Sequence, residues 1–136
     1  MARTSKYRLD REFSSPQETI ALSAMYGANH FSGMRGIASL TERGTTPTMM
    51  SRLSSGLPIF ALSRRADTLQ RLALCRGVIP LFFDFTAFAP QDLEARTIEF
   101  LVDGGFLARG DYILLTMGTA QGEAGKTDRM KILPVE

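Results

Sequence analysis

GIASLTERGTTPTMMSRLS, spanning Gly36 to Ser54, decides the fold. Gly36–Leu40 is a short apolar run that predicts a buried strand. Thr41–Thr45 is a polar turn, and a helix opens near Thr46–Pro47, where proline fits because a first-turn N–H has no intrahelical partner to lose. A strand that feeds a helix is half of a β-α-β unit, so the fold depends on whether that unit repeats. The same stretch bears on function. Unbonded N–H groups face out of a helix start, and the helix dipole favours negative charge there. Thr41, Thr45 and Thr46 supply hydroxyls, Gly44 permits a positive φ or a close backbone approach, and Arg43 carries a fork-shaped cation suited to phosphate. Two readings stand side by side. One is a phosphate pocket; the other is an ordinary strand-to-helix turn with capping threonines, since a single Gly-Thr turn is a short signal.

The unit does repeat. Upstream, Ser15, Pro16 and Glu18 supply a cap, a first-position proline and a capping box. Ile20, Ala21, Ala24, Met25 and Ala28 then recur at helical spacing, and Asn29, His30, Ser32 and Gly33 end that helix. Downstream, Gly56 stops the second helix, and Leu57–Leu62 predicts a strand whose unbroken apolar character suits a parallel sheet. Ser63 to Asp67 starts a third helix that carries Leu69, Leu72, Ala73 and Cys75 to a stop at Gly77. Val78–Phe83 predicts a third strand, and its internal Pro80 points to a sheet edge or a strand end. A fourth helix begins at Pro90, turns Leu93, Thr97, Ile98 and Leu101 inward, and stops at Gly104-Gly105. Tyr112–Thr116 predicts a fourth strand, residues 117–128 a glycine-bearing loop, and Met130–Val135 a last strand. The expected fold is α/β, a three-layer α/β/α sandwich on a mostly parallel five-stranded sheet. Its last strand is antiparallel, because a loop alone does not make a parallel crossover. Residues 1–14 read as an extended, charged lead-in, and residues 15–136 as one domain. Ligands of open sheets sit beyond the carboxyl ends of the strands, which allows the 41–46 turn, the 117–128 loop and Arg96 to converge on one rim.

Composition narrows the function. A chain of 136 residues that is 44% hydrophobic and 22% charged reads as one globular domain with a real core. No apolar run is long enough to span a bilayer, and MARTSKYRLDREF lacks the apolar centre of a signal peptide. One cysteine excludes an internal disulfide, so the expected compartment is a reducing cytoplasm. Cys75 sits in an apolar helical pattern and reads as core. A net charge of +2 is too small to point to nucleic acid. Its distribution says more: Thr19 to Phe83 holds seven basic and two acidic residues, Asp84 to Asp111 two basic and six acidic. A positive field around the Gly-Thr turn draws small anions, unless those charges are solvated and never converge.

Catalytic chemistry is missing. One histidine, His30, and one cysteine cannot build the usual zinc sites, so no metal site is expected. His30 reads as a helix-end residue facing the dipole. No serine sits in a G-x-S-x-G elbow. Gly122-Glu-Ala-Gly125-Lys126-Thr127 has the wrong spacing for a phosphate-binding P-loop and precedes a strand instead of opening a helix. The chain reads as a binder.

From about Arg8 to Glu136 the sequence resembles the C-terminal domain of pyruvate kinase, bacterial forms especially. The matching pieces are RLDREFSSPQETIALSAMYGANH, LTERGTTP, SRLSSGLPIFALSR, LALCRGVIP and GDYILLTMGTAQGEAGKTDRMKI, in that order. The resemblance implies a regulatory domain whose polar loop after the first strand holds a phosphate of an allosteric effector. Thr41, Glu42, Arg43, Gly44, Thr45 and Thr46 match that loop. Arg96 matches a position that contacts a second phosphate in fructose-bisphosphate-regulated members. The loop around Gly118–Thr127, with Gly122 and Gly125, matches the segment that closes over the effector. The aromatic anchor of those members falls near Ala89, beside Phe88, so the implied effector is AMP or a sugar phosphate, a monophosphate as readily as a bisphosphate.

The family's catalytic barrel, with its Mg²⁺, K⁺ and phosphoenolpyruvate site, lies upstream and outside these residues. This chain alone is therefore expected to carry no cofactor and to turn over no substrate. Pairing of the last strand across a two-fold axis is also implied, which makes Met130, Ile132 and Val135 the expected contact of a homo-oligomer. The alternative is a purely structural oligomerisation domain with a vestigial pocket. A small nucleotide-using enzyme on an open α/β sheet is a third reading, demoted by the absent dinucleotide and P-loop fingerprints.

Overall fold

Local signals in the sequence set where the elements begin. Ser15 Oγ accepts the Glu18 N–H at 3.0 Å and Pro16 takes the first position of helix α1 (Pro16–His30). Ala21, Ala24, Met25 and Ala28 form its buried stripe. At its other end His30 Nδ1 lies 2.8 Å from the Tyr26 carbonyl oxygen, and the imidazole stacks on the Tyr26 ring at 4.1 Å. The lone histidine is thus a helix-end residue, as its position in the sequence implies.

The computed structural model describes residues 15–53, 56–118 and 127–136. After α1 come β1 (Met34–Leu40), α2 (Thr45–Ser51), β2 (Ile59–Ser63), α3 (Ala66–Leu72) and β3 (Val78–Phe82). Two 3-10 turns (Phe85–Ala87 and Pro90–Asp92) lead into α4 (Leu93–Asp103), followed by β4 (Tyr112–Gly118) and β5 (Thr127–Pro134). The sheet order is β3-β2-β1-β4-β5. The first three neighbouring pairs are parallel and β4–β5 is antiparallel. Strand order therefore reverses between β1 and β4, the place where open α/β sheets leave a crevice at the strand C-termini.

Alternate residues of the central strands feed two separate cores, as the two-residue period of a strand dictates. Ile37, Ile59, Ala61 and Leu114 pack with Ala24, Met50 and Leu72 under α1, α2 and α3. Ala38, Leu40, Phe60, Leu62 and Leu115 pack with Leu93 and Leu101 of α4. The result is three layers with helices on both faces. Cys75 is half-buried against the first core. Pro80 lies in β3, an outer strand of the sheet, where its missing donor leaves no ladder bond unmade.

Several boundaries differ from the sequence expectation: β1 begins earlier, at Met34, β2 is shifted to Ile59–Ser63, and α3 already ends at Leu72. The β4–β5 ladder reaches further, pairing Met117 with Arg129 and Gly118 with Thr127, so both ends of the expected 117–128 loop belong to strands. Antiparallel pairing adds ladder bonds up to the chain reversal, and polar, glycine-bearing composition hides that continuation. The fourth helix opens as a 3-10 turn at Pro90 and becomes α-helical only at Leu93. Among the described residues no helix is long and apolar enough to cross a membrane.

Candidate functional site

The turn between β1 and α2 is closed from within. Gly44 sits at φ 83° and ψ 13°, the left-handed region. In that conformation its N–H donates to Thr41 Oγ1 at 2.8 Å. Its carbonyl accepts the Thr48 N–H at 3.0 Å and the Thr48 hydroxyl at 2.7 Å. A side chain larger than hydrogen is strained on both counts. The φ disfavours an L-residue, and a Cβ would stand 3.1 Å from the branch of Leu72.

The β2–α3 connection fixes the same turn from outside. The Thr41 N–H donates to the Leu62 carbonyl at 3.0 Å. The Glu42 carbonyl accepts the Thr68 hydroxyl at 2.7 Å and the Ser63 hydroxyl at 3.4 Å. The Glu42 carboxylate takes Arg64 Nε at 2.8 Å and Nη2 at 3.3 Å. That hydrogen bond and charge raise the Arg64 pKa above its ordinary value. Arg71 Nη2 donates to the Arg43 carbonyl at 3.1 Å and to Thr68 Oγ1 at 3.2 Å. Sequence reasoning missed Ser63, Arg64, Thr68 and Arg71 as supports. The available signal was the Ser63-Arg64-Arg65 run, which leaves the neighbouring parallel strand at the same rim.

These contacts sort the turn residues into two groups. Thr41 and Glu42 are buried and serve the turn itself, and Thr46 is 1% exposed. Arg43 and Thr45 face solvent. The N–H groups of Thr45 and Thr46, the first two residues of α2, have no acceptor within the helix. The Arg43 guanidinium has no acceptor among the described residues. The outward surface thus offers the Arg43 cation and the hydroxyl and N–H of Thr45, a set rich in donors that suits an oxyanion. The one carboxylate in the turn is held elsewhere by Arg64.

Other expected site residues are placed differently. Arg96 lies on α4, behind the sheet from α2, and pairs with Glu99 at 3.2 Å. No contact among the described residues brings it to the turn. Gly122 and Gly125 lie outside the described residues. Met130 and Ile132 are 42% and 44% exposed on β5. Val135 is not a surface residue: it follows β5, is 3% exposed and belongs to the α4 core. Its apolar character reflects that interior position. Lys131 crosses to Glu94 of α4 at 2.8 Å.

A cavity of about 420 Å³ lies at the opposite rim, where β2 and β3 begin, lined by Leu57, Pro58, Ile59, Arg76 and Val78 among others. No group of three or more His, Cys, Asp or Glu able to hold a metal ion occurs among the described residues.

Comparison with known proteins agrees with this architecture. Residues 18–133 match the family model "Pyruvate kinase, alpha/beta domain". The chain is 46% identical over 132 residues to pyruvate kinase II of Salmonella typhimurium, covering 97% of this chain and 27% of that protein. It is 44% identical over 132 residues to pyruvate kinase of Haemophilus influenzae, again covering 97% of this chain and 27% of the relative. A more distant relative is pyruvate kinase of Dictyostelium discoideum, 26% identical over 99 residues, covering 73% of this chain and 19% of that protein. The chain thus spans about a quarter of the length of its nearer relatives, and the part it matches carries none of their remaining length. The family match, the high coverage by bacterial relatives and the five-stranded sheet with one antiparallel edge place this chain in the pyruvate kinase alpha/beta domain family.

Proposed function

We propose that this domain binds a phosphorylated small-molecule effector at the 41–46 turn and transmits that binding through contacts between subunits. The parent reaction, on the strength of the relatives' names, is phosphoryl transfer from phosphoenolpyruvate to ADP in cytoplasmic glycolysis. Its Mg²⁺ and K⁺ belong to a catalytic barrel outside these residues. The observation that carries the reading is the sorting of the turn. Its carboxylate is tied back by Arg64, while Arg43 and both the hydroxyl and the helix-start N–H of exposed Thr45 remain at the reversal of strand order. One phosphate matches that donor set, so AMP or a sugar monophosphate is the favoured class. Regulation then requires that the effector prefer one subunit arrangement over another.

The subunit contact falls on β5. Among the described residues it pairs with β4 alone, and it presents exposed Met130 and Ile132 beside a strand edge left open by those residues. Such an edge invites a second copy across a two-fold axis.

Calorimetry with AMP, ribose 5-phosphate, glucose 6-phosphate and fructose 1,6-bisphosphate tests the effector site. Heat is expected with at least one, lost when Thr45→Ala is combined with Arg43→Ala. No heat with any of the four leaves the second reading, an oligomerisation domain with a vestigial pocket. The internal hydrogen bonds of Thr41 and Glu42 are the observation that favours it.

A further inference from the structure

The turn between β1 and α2 sets an acid directly beside its cation, Glu42 next to Arg43. For a phosphate dianion that neighbour is adverse. A free carboxylate repels the ligand and competes with it for the guanidinium. The fold removes this conflict from a different strand. Arg64 follows the last residue of β2, the parallel neighbour of β1. Its Nε donates to Glu42 Oε1 at 2.8 Å and its Nη2 to Glu42 Oε2 at 3.3 Å. Two such bonds are the fork in which guanidinium and carboxylate fit best.

The two partners depend on the contact unequally. The Glu42 side chain is 6% exposed and that of Arg64 40%. Without Arg64 the carboxylate is an ion held out of water, a state unfavourable enough to drive it outward. Asp84, at the exit of β3, also acts on Arg64 through its charge. Its Oδ1 is already taken by the N–H and the hydroxyl of Thr86, so Glu42 is the acid that Arg64 holds by hydrogen bonds. The other arginines of this rim are engaged as well. Arg65 pairs with Asp67 at 3.2 Å, and Arg71 donates to the Arg43 carbonyl and to Thr68. A released Glu42 carboxylate therefore meets the guanidinium of its chain neighbour Arg43, the cation that the phosphate needs.

We propose that Arg64 is a positioning residue of the effector turn: it holds the Glu42 carboxylate on the β2 side and so keeps Arg43 free for a phosphate. Arg64 acts through Glu42 and does not touch the ligand. The inference rests on the effector reading above and deepens it, because it places control of the affinity on the exit of a neighbouring strand.

The test uses the whole 136-residue chain and calorimetry with AMP, ribose 5-phosphate and glucose 6-phosphate. For whichever binds, Arg64→Gln is expected to raise the dissociation constant about tenfold or more, within the range of coupled charged neighbours. Glu42→Gln is expected to bind at least as tightly as the unaltered chain, since no acid remains to be held. Arg64→Gln added to Glu42→Gln is then expected to change the affinity by no more than about twofold. A residue that only braces the fold lowers Tm and weakens binding alike in both backgrounds; rescue by Glu42→Gln marks action through the carboxylate. Equal losses in the two backgrounds, an Arg64→Gln variant that binds like the parent, or a Glu42→Gln variant weakened as much as Arg64→Gln overturns the proposal. Should Arg64→Gln fail to fold, Arg64→Lys, which keeps the charge and loses the fork, decides by the same comparison. No heat from the unaltered chain with any of the three ligands overturns the effector reading and this role with it, whereas binding without the coupling overturns this role alone.

Discussion

Replacing Gly44 with alanine separates two terms that the turn combines. The backbone term is the cost of an L-residue in the left-handed region, about 1–2 kcal/mol. The packing term arises because the new Cβ stands 3.1 Å from Leu72 Cγ, Cδ1 and Cδ2, so the branch of a buried side chain has to move. Overpacking of this kind adds about 1–3 kcal/mol. Gly105 supplies the control: its φ is 82°, and nothing lies within 4 Å of a Cβ built there. Gly105→Ala is expected to cost the backbone term alone, about 1–2 kcal/mol, and Gly44→Ala about 2–5 kcal/mol. Urea unfolding followed by far-ultraviolet circular dichroism measures both. Leu72→Ala in the Gly44→Ala background is expected to recover most of the difference, as a favourable coupling in a double-mutant cycle. Equal losses at the two glycines, or no coupling to Leu72, refute the argument that packing under the turn requires glycine.

Two further outcomes follow from exposed groups. The Asp67 pKa is held below its ordinary value, first by the hydrogen bond from Arg65. A depressed carboxylate stabilises the fold above its unfolded pKa and loses that contribution as pH falls through the folded one. Arg65→Gln is therefore expected to flatten the loss of stability on acidification below about pH 4, read as urea midpoint against pH; an unaltered acid profile counts against the pair. Met130→Glu with Ile132→Glu, both on the exposed face of β5, is expected to shift any dimer to monomer in light scattering while Tm holds. Dimers that persist place the subunit contact elsewhere.

The fold was legible because each helix and strand carries its own signal and the signals agree. Ser15-Pro16 starts α1 where the cap bond forms, and the apolar strands lie where both faces are covered. The antiparallel β5 followed from one constraint, the absence of a crossover helix after β4. What the sequence left unread depends on contacts between elements. Glu42 looks like one more polar turn residue, yet its role is set by Arg64, on a neighbouring strand's exit. Val135 carries the composition of an edge strand, yet the chain turns it into the α4 core.

Arg96 bears on which effector the turn selects. A bisphosphate needs two cationic subsites, and the resemblance assigns the second to Arg96. That side chain belongs to α4, whose inward residues pack with Ala38 and Leu40, whereas α2 packs with Ile37. The two candidate subsites are therefore on opposite faces of the sheet, joined only over the strand C-terminal rim. Arg96 is also ion-paired to Glu99 and half-exposed, so a second phosphate has to compete with a carboxylate for a solvated cation. The turn, by contrast, needs no rearrangement to present its donors. Arg96→Ala is accordingly expected to leave the dissociation constant of a monophosphate effector within about twofold, inside the range of an exposed surface charge. Fructose 1,6-bisphosphate is expected to bind the unaltered chain no more tightly than the best monophosphate. A bisphosphate preference of tenfold or more, abolished by Arg96→Ala, would show that both faces contribute to one site and would overturn the single-phosphate assignment.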